Sequence, residues 1–130
     1  MISITSKSPY ALAALVELQF HGGTYPVPIA ELARRRQIPV QFLEQLFATL
    51  RRAGVLRSQR GVGGGYSFAR APSEVTVLEV VELLDGPVGQ DATGVFAEAA
   101  AAARNVLAGS TIAEMADAEA RAAGAHMYHI

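Results

Sequence analysis

In the first half of the chain, apolar residues recur at the spacing of an α-helix, with polar residues between them. In residues 8–20 the apolar positions recur every three to four residues. They are Ala11, Leu12, Leu15, Val16 and Leu18. Pro9 falls in the first turn, and Gly22 with Gly23 follows the last, where glycine stops a helix. The pattern predicts a buried helix.

Two further helices are predicted before residue 55. Pro28 stands at the first position of a short helix with the sequence IAELARRR. The arginines at its end, residues 34–36, suit the negative end of the helix dipole as well as they suit a phosphate. After a three-residue connector, the segment VQFLEQLFATLRRAG predicts a longer helix that ends at Gly54. Its apolar face consists of Phe42, Leu43, Leu46, Phe47 and Leu50.

A β-hairpin and three more helices complete the pattern. Two extended runs, VLRSQR and YSFAR, flank the glycine-rich bend at residues 61–65 and predict the hairpin. Thr76 opens a capping-box pattern before an apolar helix. An alanine-rich helix is expected over residues 91–108, and Thr111 begins a last helix toward Gly124. The alanine-rich helix carries an apolar stripe: Val95, Phe96, Ala99, Ala103, Val106 and Leu107. The expected fold is mainly α with a small β-hairpin.

Charge is divided unevenly along these elements. Up to Pro72 there are nine basic and three acidic residues, a net charge of +6. From Ser73 onward, two basic and nine acidic residues give −7. Such asymmetry favours a basic N-terminal part that binds a polyanion and an acidic C-terminal part. Charges on solvated helix faces would produce the same count.

Length and composition exclude several classes of protein. A chain of 130 residues, 51% of them hydrophobic, forms one compact domain. It has no cysteine, which excludes disulfides, thiolate zinc sites, cysteine nucleophiles and clusters held by thiolates. No stretch is long enough to span a bilayer, so we expect a cytoplasmic protein without a membrane partner.

The sequence does not indicate a cofactor. His126 and His129 have the i, i+3 spacing that could supply two metal ligands. The alternative interpretation is a frayed chain end. We therefore expect no metal and no other cofactor. An enzyme is not expected either, because no nucleophile with a base, carboxylate pair or metal motif is visible.

The order of the central elements is that of a winged helix-turn-helix, a DNA-binding arrangement. Two short helices joined by a tight turn precede a basic hairpin directly. The second helix would present three polar side chains to base edges: Gln41, Glu44 and Gln45. Glu44 could instead form a salt bridge with a neighbouring arginine.

Basic residues next to this helix are candidates for the DNA backbone, where contacts position a protein without reading sequence. They are Arg51, Arg52 and Arg57. The glycines of the hairpin allow a sharp turn close to a sugar-phosphate chain. Arg60, just before the bend, could reach a narrow minor groove.

Nearly the whole chain resembles the winged-helix transcription regulators typified by the iron–sulfur cluster regulator IscR, the nitric-oxide sensor NsrR and the cysteine-metabolism repressor CymR. The resemblance is carried by the run IAELARRRQIPVQFLEQLFATLRRAGVLRSQRGVGGGYSFAR, with TSKSPYALAAL before it and the TIAEM helix after it. Its most specific part is FLEQLF followed by R-G-x-G-G-G-Y. The resemblance implies a homodimer whose long C-terminal helix crosses to the partner, and recognition helices that enter successive major grooves of a pseudo-palindrome.

The resemblance also implies which positions approach DNA. From the first helix, the recognition helix and the wing in turn, these are Lys7, Tyr10, Gln41, Phe42, Glu44, Arg60 and Gly61. The residue patterns described above complete the expected DNA-binding set with Gln45, Arg51, Arg52, Gly63 and Gly64. The apolar stripe of the alanine-rich helix is the expected dimerisation surface.

One segment departs from the regulators that hold a cluster. Many of them carry three cysteines in a loop between the fifth and sixth segments, whereas the corresponding loop here reads GPVGQDATG. The chain therefore resembles the cluster-free members more closely. We expect residues 1–85 to form the winged helix-turn-helix, and residues 86–130 to hold the shortened loop and dimerisation helices as one structural unit.

The expected function is that of a sequence-specific DNA-binding transcriptional regulator. It would act as a homodimeric repressor on double-stranded DNA, without an iron–sulfur cluster and with an unknown small-molecule effector as a further possible partner. The alternative is a winged-helix protein-interaction module that has lost DNA binding. That alternative predicts a poorly exposed Arg60 or acidic residues on the recognition face.

Overall fold

The structure, a computed structural model, describes residues 4–22 and 25–128, with side chains described up to residue 124. Within these ranges it contains six α-helices and one two-stranded sheet, in the predicted order. The elements are α1 (Lys7–Phe20), α2 (Ile29–Arg36), α3 (Val40–Arg52), β1 (Leu56–Gln59), β2 (Gly65–Phe68), α4 (Val77–Asp85), α5 (Val95–Ala108) and α6 (Ile112–Tyr128). The mainly α fold with a small hairpin is confirmed. A short 3-10 helix before α4, Pro72–Glu74, was not predicted.

Helix α1 lies at the centre of the core. It contacts α2, α3, α4 and α6, and its side chains Leu15 and Leu18 are completely buried. The other helices contribute to the same cluster, with Phe47 from α3, Val80 from α4 and Ile112 from α6 fully buried. Because burial of apolar surface drives folding, this shared core holds the N-terminal and C-terminal helices together.

The turn between α2 and α3 depends on a left-handed residue. Gln37 has φ +55°, the only positive φ of a non-glycine among the described residues. The next N–H, that of Ile38, donates to the Ala33 carbonyl at 2.9 Å, and the Ile38 side chain is buried. Glycine or asparagine is usual at such a position, so the sequence carried no signal for this conformation.

The hairpin is extended by the segment that precedes α2. Strands β1 and β2 are antiparallel, with Leu56 opposite Phe68. Val27 and Tyr66 exchange two backbone hydrogen bonds of 2.8 and 2.9 Å. A Cβ atom at Gly65 would lie 2.3 Å from the Val27 carbonyl oxygen, so this close approach of two backbones requires glycine.

Two predicted helix starts are confirmed by side-chain caps. The Thr76 hydroxyl accepts the N–H of Glu79 at 3.1 Å, and the Thr111 hydroxyl accepts the N–H of Glu114 at 3.1 Å. The carboxylate of Glu79 pairs with Arg70. Helices α4 and α6 therefore begin where the sequence places their caps.

Three predicted boundaries were wrong. Pro28 precedes α2 as its N-cap and is not its first residue. Helix α5 begins at Val95 and not at residue 91, because Gly94 has φ +59°, a conformation outside the helical region. Helix α6 continues through Gly124, since a glycine inside a helix weakens it without ending it.

The predicted apolar stripe of α5 is only partly buried. Helix α4 covers one edge, where Ala103 and Leu107 are half-buried beside the buried Ala100. The stripe spans roughly a third of the helix circumference at 3.6 residues per turn, and only the edge with Ala103 and Leu107 packs against the core. Its remaining members are exposed: Val95, Phe96, Ala99 and Val106.

Candidate nucleic-acid interface

Helix α3 has one buried and one exposed face. Leu43 and Phe47 are fully buried, whereas Gln41, Glu44 and Gln45 are exposed. Glu44 forms no salt bridge with any described residue, which removes the ion-pair alternative within that part of the chain. Three polar side chains at the start of the helix are therefore available to a ligand.

The N-terminal helix supports α3 through an aromatic contact. Phe42 is half-buried against the core, and the Tyr10 ring meets it edge-on with centroids 5.7 Å apart. The sequence predicts both residues for the site, but no local pattern indicates their contact. Phe42 therefore has a packing role in addition to its expected position beside the bases.

The start of α1 is anchored to the end of α4 by Asp85. Its carboxylate accepts the Thr5 hydroxyl at 2.6 Å and the Ser8 hydroxyl at 2.5 Å. Desolvation raises the pKa of Asp85, but the hydrogen bonds from Ser8 and Thr5 outweigh it and bring that pKa below its ordinary value. Lys7, between these two anchors, is exposed.

The wing between the two strands is a tight bend. The N–H of Gly64 donates to the Gly61 carbonyl at 2.9 Å, and a Cβ atom at Gly64 would lie 2.3 Å from the Gln59 carbonyl oxygen. Gly61 and Gly63 have positive φ angles of +94° and +78°. This arrangement leaves Arg60 exposed directly before the bend.

Basic side chains in α1, α3 and the hairpin form no ion pair with a described carboxylate. Arg52 donates to the Thr49 hydroxyl at 3.2 Å, and Arg57 to the Ala69 carbonyl at 3.5 Å. Arg57, which the resemblance did not assign to the DNA, is the one cation of β1 and is exposed. Six cations make no ion pair with a carboxylate within residues 4–22 and 25–124: Arg121 of α6, and the five of these elements, Lys7, Arg51, Arg52, Arg57 and Arg60.

The three arginines at the end of α2 pair with carboxylates of the protein, while Arg34 and Arg35 stay exposed. Arg34 and Arg35 each lie 2.8 Å from the Glu31 carboxylate, whose pKa is lowered by hydrogen bonds from Arg35 and then Arg34. Arg36 pairs with Glu17 and with a carboxylate of α6. The sequence leaves dipole and phosphate roles open for this run, and in the structure the three arginines pair with neighbouring carboxylates.

Neither a cluster of metal donors nor a membrane-spanning helix occurs in the described part of the chain. No three His, Cys, Asp or Glu side chains come together there, and no helix is long and apolar enough to cross a membrane. His21 lies with its Nε2 atom 3.4 Å from Glu17. The side chains of His126 and His129 lie outside the described residues.

Comparison with known proteins identifies relatives of this chain. Residues 4–93 match the family model Rrf2, described as an iron-dependent transcriptional regulator. The HTH-type transcriptional regulator IscR of Aliivibrio salmonicida is 41% identical over 92 residues, and that of Photorhabdus laumondii is 42% identical over 90. These matches cover 71% and 69% of this chain but 54% of each relative. The chain thus spans about half the length of the curated relatives it matches.

Solved structures share the fold over a larger part of the chain. IscR of T. potens superposes with a TM-score of 0.79 at 31% identity, covering 91% of this chain and 88% of that one. CymR of B. subtilis, the global cysteine regulator, also gives 0.79 at 28% identity, with 90% and 98% covered. The predicted winged-helix fold and the resemblance to such regulators are confirmed.

The donor set of this chain does not fit an iron–sulfur cluster, although the family description names iron. The sequence contains no cysteine, so no thiolate is present to hold iron. The relatives are named as transcriptional regulators and not as enzymes, in agreement with the sequence analysis. From the match over residues 4–93 and these relatives, the chain belongs to the Rrf2 family of transcriptional regulators.

Proposed function

We propose that this protein is a sequence-specific DNA-binding regulator that acts as a homodimeric repressor on a pseudo-palindromic operator, without an iron–sulfur cluster. Residues 1–85 bind DNA, and residues 86–130 form the dimer. One observation carries the proposal: basic side chains that form no ion pair with a described carboxylate accompany the exposed polar start of α3. Unpaired cations beside a polar helix face are the electrostatic pattern of a nucleic-acid surface.

Helix α3 reads the bases in this proposal. The amides of Gln41 and Gln45 are able to pair bidentately with adenine in the major groove. The carboxylate of Glu44 accepts a hydrogen bond from the amino group of cytosine. All three side chains are exposed at the N-terminal part of α3, the end of a recognition helix that contacts base edges.

The surrounding cations bind the DNA backbone. Arg51 and Arg52 at the end of α3, and Lys7 at the start of α1, contact phosphates and set the register of the protein on the duplex. Arg60 enters the minor groove from the wing. Each phosphate contact releases a counterion, so affinity falls as salt rises.

The exposed part of α5 forms the dimer interface. Phe96 is 66% exposed and Val106 is 72% exposed, which is unusual for large apolar side chains that cluster on one helix. Burying them against a second copy removes this apolar surface from water. Two-fold symmetry then places two recognition helices on the two half-sites of an operator.

The loop between α4 and α5 is held by protein groups, which supports independence from a cluster. Glu82 accepts the N–H of Val88 at 3.1 Å and pairs with Arg104 of α5. The Val88 side chain is buried in the core. These contacts order the loop without a bound group.

Two features favour DNA over the alternative of a protein-interaction module. Arg60 is exposed, and Glu44 is the one acidic residue of α3. A module that had lost DNA binding would have no need to keep its recognition helix nearly free of acids beside unpaired arginines.

Fluorescence anisotropy tests the proposal with the full chain. Labelled duplexes from upstream of its own gene are titrated at two salt concentrations, with a chelator present, against a scrambled duplex of equal length and composition. We expect tight binding that weakens with salt, is selective for sequence and is unaffected by the chelator. Equal affinity for the scrambled duplex would overturn sequence-specific binding, and loss of binding with the chelator would overturn cluster independence.

A further inference from the structure

Arg36, the last residue of α2, joins three helices through its guanidinium group. Its Nε atom donates to Glu17 of α1 at 2.9 Å. Its two terminal nitrogens donate to the two carboxylate oxygens of Glu119 of α6, at 2.8 and 2.9 Å. The guanidinium carbon also lies 5.9 Å from the centre of the Phe20 ring. Each of the three guanidinium nitrogens thus donates to a carboxylate of the protein.

The contact between Arg36 and Glu119 joins α2 and α6, two helices that do not pack closely on each other. Helix α2 packs mainly on α1 and α3, while α6 packs on α1. A groove of about 440 Å³ opens beside the pair, walled by apolar residues of α1 and by Met115 of α6. Because apolar packing between α2 and α6 is sparse, the ion pair is the specific link between them.

The geometry makes this a strong pair for its degree of exposure. A bidentate contact between guanidinium and carboxylate fixes direction as well as distance. The Arg36 side chain is 18% exposed and that of Glu119 45% exposed. The hydrogen bond with Arg36 lowers the pKa of Glu119 and raises that of Arg36, so both groups are charged at neutral pH.

The position of Arg36 in the chain connects the pair to the recognition helix. Arg36 directly precedes Gln37, the left-handed residue of the turn, and α3 begins at Val40. A shift of the end of α2 is therefore transmitted through a strained three-residue connector to the start of α3. That start carries Gln41, Glu44 and Gln45.

We propose that Arg36 is a positioning residue for the recognition helix, and that its pair with Glu119 couples α6 to DNA binding. This inference rests on the proposed function and adds a regulatory link to it. A change that moves α6, in the dimer or at the groove, alters the free-energy difference between arrangements of the helix-turn-helix and so alters affinity. Neither Arg36 nor Glu119 needs to touch DNA.

The primary test replaces Glu119 and leaves Arg36 with its buried partner Glu17. Operator affinity is measured for Glu119→Gln and for the control Asp117→Asn, which removes the same charge from an exposed position of α6 that forms no ion pair with a described residue. We expect about fivefold or greater change in affinity for Glu119→Gln and less than twofold for the control. Equal effects of the two variants would overturn the coupling.

A double-mutant cycle separates coupling from general loss of stability. Arg36→Lys keeps the charge beside Glu17 but loses the bidentate geometry. The effect of Glu119→Gln on affinity should largely disappear in the Arg36→Lys background. Val88→Ala, which destabilises the core elsewhere, should leave affinity unchanged. Additive effects in the cycle would show that the pair does not act as a unit.

Hydrogen exchange distinguishes failure of this inference from failure of the proposed function. In the free protein, amides of residues 29–41 should exchange faster in Glu119→Gln than in the wild type or in Asp117→Asn. This result would support the positioning role even if the wild type bound no DNA. Unchanged exchange in this segment would overturn it.

Discussion

The ring of Tyr10 in α1 stands edge-on to the ring of Phe42 in α3, with centroids 5.7 Å apart and planes inclined by 85°. Edge-to-face pairs contribute about 0.5–1.5 kcal/mol beyond the area they bury. The contact joins the central helix to the second residue after the start of the recognition helix. The orientation of α3 thus depends on an aromatic side chain from an element outside the helix-turn-helix.

Replacing Tyr10 by Leu should weaken DNA binding by misaligning α3. The free energy of unfolding should fall by about 1 kcal/mol, since the aromatic pair is lost while some apolar contact remains. Tyr10→Phe is the matched variant, because it keeps the ring and removes the hydroxyl. Urea unfolding and anisotropy titration measure the two effects. If Tyr10→Phe lowers affinity as much as Tyr10→Leu, the hydroxyl and not the ring pair is responsible.

Replacing Arg60 by Ala should reduce both affinity and its salt dependence. The plot of log affinity against log salt should become shallower by about 0.9, because a cation in the minor groove also displaces a condensed counterion. Arg121→Ala removes an exposed cation of α6, distant in sequence from the wing, and should leave the slope unchanged. Titrations at four salt concentrations give both slopes. An unchanged slope for Arg60→Ala would remove Arg60 from the interface.

Replacing Gly64 by Ala should distort the wing. The new Cβ atom would lie 2.3 Å from a backbone oxygen, so no rotation of a side chain can relieve the clash. We expect stability to fall by about 1–3 kcal/mol and DNA affinity to fall with it. Val62→Ala, at the fully exposed tip of the same bend, should change neither quantity. Wild-type stability of Gly64→Ala would contradict the described wing geometry.

Replacing Phe96 by Asp should shift the protein toward monomer and lower operator affinity. A charge at this exposed position costs little in the isolated chain but is desolvated in the proposed dimer. We expect the dimer dissociation constant to rise about tenfold or more, measured by sedimentation. Ala101→Asp, on the other side of α5, is the control. An intact dimer with Phe96→Asp would refute this interface.

Replacing Asp85 by Asn should destabilise the protein in a manner that depends on pH. The pKa of Asp85 is lowered in the folded state from 3.8, so its contribution is present above that value and is lost as pH falls through the folded pKa. Asp85→Asn should cost about 1–2 kcal/mol at pH 7, and the difference should shrink below pH 4. Asp91→Asn, at a nearby exposed position, serves as the control. A constant difference across this range would contradict a role for the Asp85 charge.

Local signals in the sequence determined the order of elements and most of their ends. Periodic apolar residues mark α1 to α4 because an amphipathic helix must present one face to the core. The Thr76 and Thr111 caps fall where hydroxyl and glutamate are three residues apart, since this contact lies within one helical turn. The glycine-rich bend marks the wing, and the absence of cysteine excludes thiolate chemistry without any structure.

The tertiary structure decided which neighbour each surface meets. The α5 stripe is apolar along its length, but only its Ala103 and Leu107 edge meets the core, because periodicity reports a face and not what covers it. Arg36 could have served phosphate or dipole, and its role was set by Glu17 and by Glu119, the latter 83 residues away. The role of a charged side chain depends on which groups lie beside it in the folded protein. These partners are brought together by packing of the core, which no local pattern encodes.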